Sequence, residues 1–252
     1  MSTMYINGCG AVTNSGIYSA TSHKLWDPSQ TSIDSIRRDQ VLGTPLPLFG
    51  KLAFPDKLTF SAASLALEGI TGLPQERSGI SIAIPYGSLT TDMFFMESAL
   101  GPLPSPAYFS APLPSSTIAD IAIYYKFKGP DRVFCGGSSP VYDALTAASD
   151  LLSLEKASIV LFCAVWAIDP ANRKKLNTST LIEDAAFALL LSSEPISPQA
   201  QPCRLVNPLV TSAGNPRNDY NFCLKAVECF RCKKKDVIPF TDNGSENYFE
   251  IL

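Results

Sequence analysis

Few groups in this sequence could do covalent or metal chemistry, and their spacing narrows them further. Histidine occurs once, as His23, in a polar stretch where it reads as a solvated side chain. One imidazole cannot supply both a base and a second proton donor. There are seven cysteines, an odd number, and Cys9, Cys135, Cys163, Cys203, Cys223 and Cys229 sit among apolar neighbours. Cys229 and Cys232 form a C-x-x-C with Cys223 one and a half helical turns before it, but no second pair or nearby histidine completes a zinc set. They read as core and surface cysteines of one helix, and no metal or cofactor is expected. Ser138 is the hydroxyl best placed for chemistry, after Gly136 and Gly137 at a strand-to-helix turn. A serine is weakly nucleophilic without a base, and its simplest reading is the N-cap of a helix starting near Pro140. Cys135, three positions earlier, reads as a buried and inert strand residue. Lys233 to Lys235 form a cationic run that suits a helix C-terminus. The sequence has no Walker loop, dinucleotide fingerprint or HExxH motif.

The elements that must position these groups alternate between strands and helices. Met4 to Val12 reads as a strand ending in small residues, and Thr13 to Gly43 as loop. A helix follows from Asp56 to Ile70, with Leu58, Ala62, Leu65 and Ile70 on one face. Gly79 to Pro85 and Ser158 to Ala167 are short continuous apolar runs that fit strands buried on both faces. Leu89 to Leu100 is a helix with four adjacent large residues, Met93, Phe94, Phe95 and Met96, which point around most of its circumference and cannot all face one core. Prolines 102, 104, 106, 112 and 114 then rule out regular structure. Helices are expected at Ser115 to Phe127, Pro140 to Leu154 and Asn218 to Lys233, and strands at Arg132 to Gly136, Asp184 to Ser192 and Cys203 to Val210. A last strand fits Tyr248 to Leu252. The whole is an α/β fold, one domain over 1–252 with 210–252 as a C-terminal helix and strand, built on a mostly parallel mixed sheet with helices on both faces.

Composition sets the partners. Charged residues are 17% of the 252, below the roughly 25% usual for soluble domains, and hydrophobic residues are 46%. Something is expected to cover part of so apolar a surface. A net charge of -3 with no basic excess argues against nucleic acid. No apolar run approaches the roughly 20 residues of a membrane span. The first sixteen residues show no secretory or import leader, and the unpaired cysteines suit a reducing cytosol, so the expected location is cytoplasmic.

The segment from Ser105 to Trp166 resembles the amino-terminal half of β-ketoacyl synthases, of the thiolase fold. It reads PSPAYFSAPLPSSTIADIAIYYKFKGP followed, through Asp131, by DRVFCGGSSPVYDALTAASDLLSLEKASIVLFCAVW. In ketosynthases a helix ending in Gly-Pro leads into a strand, and the nucleophilic cysteine stands eight residues after the proline. Here that position, eight beyond Pro130, is Ser138. Weaker similarity covers Met4 to Gly16 and Ile182 to Glu194, so the likeness spans about four fifths of the chain. The family's paired histidines lie in a carboxy-terminal half that this sequence does not contain, so condensation by this chain alone is unsupported.

Ketosynthase-like subunits without the cysteine resemble this chain and are known as chain length factors. The resemblance implies a non-catalytic subunit that pairs as a heterodimer with an active ketosynthase and meets acyl carrier protein through the complex. The short form is similar to the partners in bacterial type II systems that make aryl polyenes, a branch of polyketide and fatty-acid-like biosynthesis. By the same resemblance, Met93, Phe94, Phe95, Met96, Tyr108, Phe109 and Leu113 are expected at the acyl tunnel. Arg132, Val133, Phe134, Cys135 and Gly136 are expected at the subunit interface, and the Lys233 to Lys235 run is a possible docking spot for the acidic carrier. The competing reading is an acyltransferase or hydrolase using Ser138 with a base that the sequence does not reveal.

Overall fold

The computed structural model describes residues 3–25, 33–41, 49–102, 113–136, 139–176, 182–206, 216–240 and 248–252. The ten strands among the described residues form one sheet. They are β1 (Met4–Thr13), β2 (Gly16–Ser19), β3 (His23–Leu25), β4 (Ser78–Ala83), β5 (Asp131–Phe134), β6 (Ile159–Trp166), β7 (Ala185–Ser192), β8 (Gln201–Val206), β9 (Asp236–Pro239) and β10 (Tyr248–Ile251). The helices are α1 (Phe54–Ala66), α2 (Leu89–Ala99), α3 (Ser115–Tyr125), α4 (Pro140–Ser153), α5 (Pro170–Arg173) and α6 (Pro216–Arg231).

The strand order is β5-β4-β6-β7-β1-β8-β10-β9, with β2 and β3 off the path beside β1. The expected mixed sheet is present. In the segment β5-β4-β6-β7-β1, four strands run one way and β7 runs against them. Parallel pairing is confined to β4 with β5 and β6, each reached by a helical crossover, while β8, β9 and β10 extend the sheet by antiparallel pairing.

Alternation along the buried strands divides the core. Val160, Phe162, Ala164 and Trp166 of β6 face α4 and α6, while Ile159, Leu161, Cys163 and Val165 face α1 and α3. The runs are apolar at every position because helices cover both faces. Along β1, Gly8 and Gly10 admit α1. A Cβ at either would stand 2.1 Å from the Ala66 or Ala62 carbonyl oxygen, so only glycine lets helix and strand approach this closely.

Several short elements differ from the sequence reading, among them the four-residue helix α5. The stretch read as loop after β1 contains the β2–β3 hairpin, whose strands of four and three residues are too short to show a period. Strand β9 is likewise four residues long. Elsewhere the boundaries shift by a few residues, as at α1, which starts at Phe54 and stops at Ala66. Among the described residues no helix is long and apolar enough to cross a membrane.

Candidate functional site

Strand β5 ends at Phe134, and the chain turns through Cys135 and Gly136 into α4. Gly136 holds φ at +67°, a left-handed conformation that suits glycine at this turn. Gly137 and Ser138 lie outside the described residues, so the nucleophile-equivalent position itself is not placed. Cys135 is exposed rather than buried, because the strand ends one residue before it. Desolvation still pushes its thiol up from the ordinary value, which disfavours a reactive thiolate.

The cap of α4 is Ser139, one residue after the expected Ser138. Its Oγ accepts from the Tyr142 amide at 3.4 Å, a long cap bond. The same hydroxyl donates to Asp219 Oδ1 at 2.6 Å, and the Val141 amide donates to Asp219 Oδ2 at 3.4 Å. Asp219 stands in the first turn of α6 and is completely buried. A carboxylate from the C-terminal helix therefore sits at the N-terminus of α4, where the helix dipole favours an anion. Burial pushes its carboxyl up to about 6, opposed by the Ser139 and Val141 bonds, with Asp143 raising it further.

A cleft of about 280 Å³ opens beside this turn of α6, lined by Ile182, Glu183, Arg217, Tyr220 and Asn221. The Tyr220 ring packs edge-on against Trp166 and Phe187 at the end of the sheet where β6 stops and β7 starts. The same end is tied together by polar bonds. Asp184 accepts from the Ile168 amide at 3.0 Å and pairs with Arg173, while the Tyr86 hydroxyl accepts from the Ile182 amide at 2.8 Å. Thr90 anchors α2 to α5 by accepting from the Asp169 amide through its hydroxyl and from the Asn172 side chain through its carbonyl.

At the neighbouring corner the N-termini of α1, α2 and α3 meet around a cavity of about 30 Å³, lined in part by Asp56, Thr90, Thr91, Leu113 and Thr117. Asp56 accepts from the Thr117 hydroxyl. Burial pushes its carboxyl up to about 6, the Thr117 bond opposes the shift, and the nearby Asp120 adds to it. Of the residues expected at a tunnel, Leu113 lines this cavity, and Met93, Phe94 and Phe95 on α2 are half-buried with Met96 exposed. None of the four on α2 is a core residue. Tyr108 and Phe109 lie outside the described residues.

Of the residues expected at the interface, Arg132, Val133 and Phe134 are on β5, while Cys135 and Gly136 follow it. Among the described residues strand β5 is an edge of the sheet, with Asp131 and Arg132 exposed. Cys229 is buried and Cys232 exposed, which matches one core and one surface cysteine on a helix. Among the described residues no cluster of three or more His, Cys, Asp or Glu could hold a metal. Sequence reasoning missed Asp219, Asp184 and Thr90. An acid in a helix's first turn is an ordinary surface feature by sequence, and nothing local points to a partner 80 residues away.

No protein-family model and no curated sequence matches the chain. Solved structures do. A chain of the ketosynthase ApeO in complex with its chain length factor ApeC, from Xenorhabdus doucetiae, is 14% identical with a TM-score of 0.64, over 100% of this chain and 99% of that one. The ishigamide ketosynthase/chain length factor is 19% identical with a TM-score of 0.59, over 76% of this chain and 62% of that one. AntDE:AntF, a type II polyketide acyl-carrier protein in complex with its ketosynthase, is 15% identical with a TM-score of 0.56, over 86% and 72%. With its mixed sheet between two helical layers, the chain has the thiolase-like fold of ketosynthase and chain length factor chains, in a single half of that architecture.

Proposed function

We propose that this chain is a ketosynthase-like subunit of a type II system that does not condense acyl groups itself, pairs with a cysteine-bearing ketosynthase, and shapes the cavity in which the acyl chain grows. The observation that carries this reading is the edge at β5, which among the described residues pairs with β4 alone. The Ile80 amide donates to the Pro130 carbonyl and the Ile84 amide to the Phe134 carbonyl, so alternate residues face β4 and Val133 presents its backbone outward. An unpaired strand edge is a template for a partner strand. Beside it, α3 exposes Ile123. A partner strand on β5, with a helix packed over α3, would make an obligate interface of more than about 2,000 Å² and cover apolar surface that water now meets.

In this reading Arg132, Val133, Phe134, Cys135 and Gly136 contact the partner. Met93, Phe94, Phe95, Met96 and Leu113, with Tyr108 and Phe109, line the shared tunnel, and carrier protein meets the pair rather than this chain alone. The half-buried state of the α2 stripe supports lining over core packing. The test is reconstitution with a cysteine-bearing ketosynthase and carrier protein, comparing Phe94→Ala and Phe95→Ala with the parent. Opening room for two more methylenes is worth about 1.6 kcal/mol to a longer chain, slightly over a tenfold bias. The expected result is longer products. Unchanged products from well-folded variants would remove these residues from the tunnel, and failure of the two proteins to co-purify would remove the pairing.

A further inference from the structure

A sheet ends at its edge strands, and the two ends of this one are not alike. Among the described residues β5 pairs with β4 alone and β9 with β10 alone. The remaining edge, β3, is three residues long, too short to template much pairing. On β5 the backbone of Val133 points outward, as the bonds from the Ile80 and Ile84 amides require. On β9 the outward positions follow from the ladder. The Leu252 amide donates to the Pro202 carbonyl at 2.9 Å, so Leu252, and with it Glu250 and Tyr248, face β8. Phe249 and Ile251, between them, face β9, where they stand opposite Ile238 and Asp236. The backbones of Val237 and Pro239 therefore point away from the sheet.

Neither of these outward positions has an amide to give. Pro239 carries no N–H, and the Val237 amide donates to Asp236 Oδ1 at 2.8 Å. The same carboxylate is held through its other oxygen. Lys225 Nζ lies 3.4 Å and Lys234 Nζ 3.8 Å from Oδ2, and the Cys229 thiol donates to Oδ2 at 3.8 Å. Bulk does not shield the strand, since Val237 is 47% exposed and Pro239 is exposed as well. What shields it is the loss of both donors.

We propose that Asp236 and Pro239 close β9 to strand addition, so that the sheet can be extended by another chain at β5 and not at β9, and an assembly made at β5 stops at two chains. An incoming strand needs donors as well as acceptors on the edge that it joins. The two donors are removed by independent means, a proline and a neighbouring side chain, both of which suit an edge strand. Lys233, Lys234 and Lys235 are exposed just before β9 and place cations beside it, which further discourages a second copy. Receptive strands at both ends of the sheet would permit head-to-tail growth into open filaments. With one end closed, growth ends after a single pairing.

The test compares Asp236→Ala/Pro239→Val, which frees the Val237 amide and adds one in place of Pro239, with Asp236→Asn, which loses the same lysine pairs but keeps an oxygen for the Val237 amide. The full chain, by itself and co-purified with a ketosynthase, is followed by static light scattering and thioflavin T fluorescence as its concentration rises. The double variant should reach a weight-average mass at least about twofold above the wild type, while Asp236→Asn stays with the wild type. Equal masses for the wild type and a folded double variant would overturn the proposal, as would equal growth in Asp236→Asn, which would assign the effect to the lost ion pairs. Hydrogen exchange on the wild type needs no variant, so the proposal is exposed even if the double variant folds poorly. Exchange across Asp236–Pro239 should not slow as concentration rises, and slowing there would overturn the proposal. What docks at β5 does not enter, and stands or falls separately on co-purification.

Discussion

Along α4 and its C-cap the exposed positions are Asp143, Asp150, Ser153 and, at 68%, Leu154, and along α6 they include Arg217, Asn221 and Glu228. At the other end of the molecule the exposed large apolar side chains are Met96 at 56% and Leu100 at 84% around the end of α2, Leu113 at 65% just before α3, and Ile123 at 77% on α3. Both regions pack on the same sheet, yet the second exposes four large apolar side chains where α4 and α6 expose one, Leu154. The α4–α6 layer closes the half-architecture, since Phe222, Cys223, Ala226, Val227 and Phe230 of α6 are buried against the sheet and polar residues face out. No further layer is required there. The apolar residues of α2 and α3 and the edge of β5, which among the described residues pairs with β4 alone, mark the side on which the proposed partner would dock.

The largest effect should come from breaking the α4–α6 side from within. Phe222 is buried, stacked on Phe240 at 4.2 Å and edge-on to Phe249 at 5.7 Å, where it locks α6 to the last strands. Phe222→Ala should cost about 3–5 kcal/mol in denaturant unfolding of the chain. A loss under about 1 kcal/mol would mean that α6 does not seal the sheet.

A pH scan sharpens the comparison, because each region holds an acid whose carboxyl desolvation pushes up to about 6. Asp219 under α6 and Asp56 at the α1–α3 corner are both pushed up to about 6. The folded chain therefore keeps their protons at pH values where the unfolded chain, titrating near 4, has released them. Stability from these groups is fully present below about pH 4 and is lost as pH rises to about 6, by up to about 3 kcal/mol for each shift of about two units. Melting temperature measured from pH 4 to 7.5 should fall over that interval, and Asp56→Asn should flatten its share of the slope. A slope unaltered in that variant would place the pH sensitivity elsewhere.

Ile123→Asp tests the α2–α3 side. The side chain is exposed, so stability of the isolated chain should move by no more than about 0.5 kcal/mol. Burying a charge at the centre of an interface should weaken the complex by about 2 kcal/mol or more, near thirtyfold, in a binding titration with the ketosynthase. The smallest effect is expected from Asp150→Asn on the outward face of α4, within about 0.5 kcal/mol for both stability and binding. A binding loss there comparable to that of Ile123→Asp would reverse the assignment of the two regions.

The sequence carried the long elements and little of the site's wiring. Strands β6 and β7 were legible because an apolar run of eight residues fits little besides a strand buried on both faces, and α4 because Val141, Leu145, Ala148 and Leu152 repeat with helical period. The hairpin β2–β3 and strand β9 were not, since their identity comes from pairing with β1 and β10 rather than from local pattern. The sequence puts the cap of α4 one residue early because adjacent serines before a proline are equivalent by composition, and Asp219 selects Ser139 only in three dimensions. The polar outward faces of α4 and α6 were present in the sequence, but without knowing which faces pack they could not be told from ordinary helix surfaces.

The central claim is that the partner docks on β5 and α3 and leaves α4 and α6 in water. Hydrogen exchange on the co-purified pair, compared with the chain alone, tests it directly. The account predicts new protection across Asp131–Phe134 and the exposed face of α3, with the amides of α4 and α6 unchanged. Protection concentrated on α4 and α6 with the β5 edge still exchanging freely would contradict it.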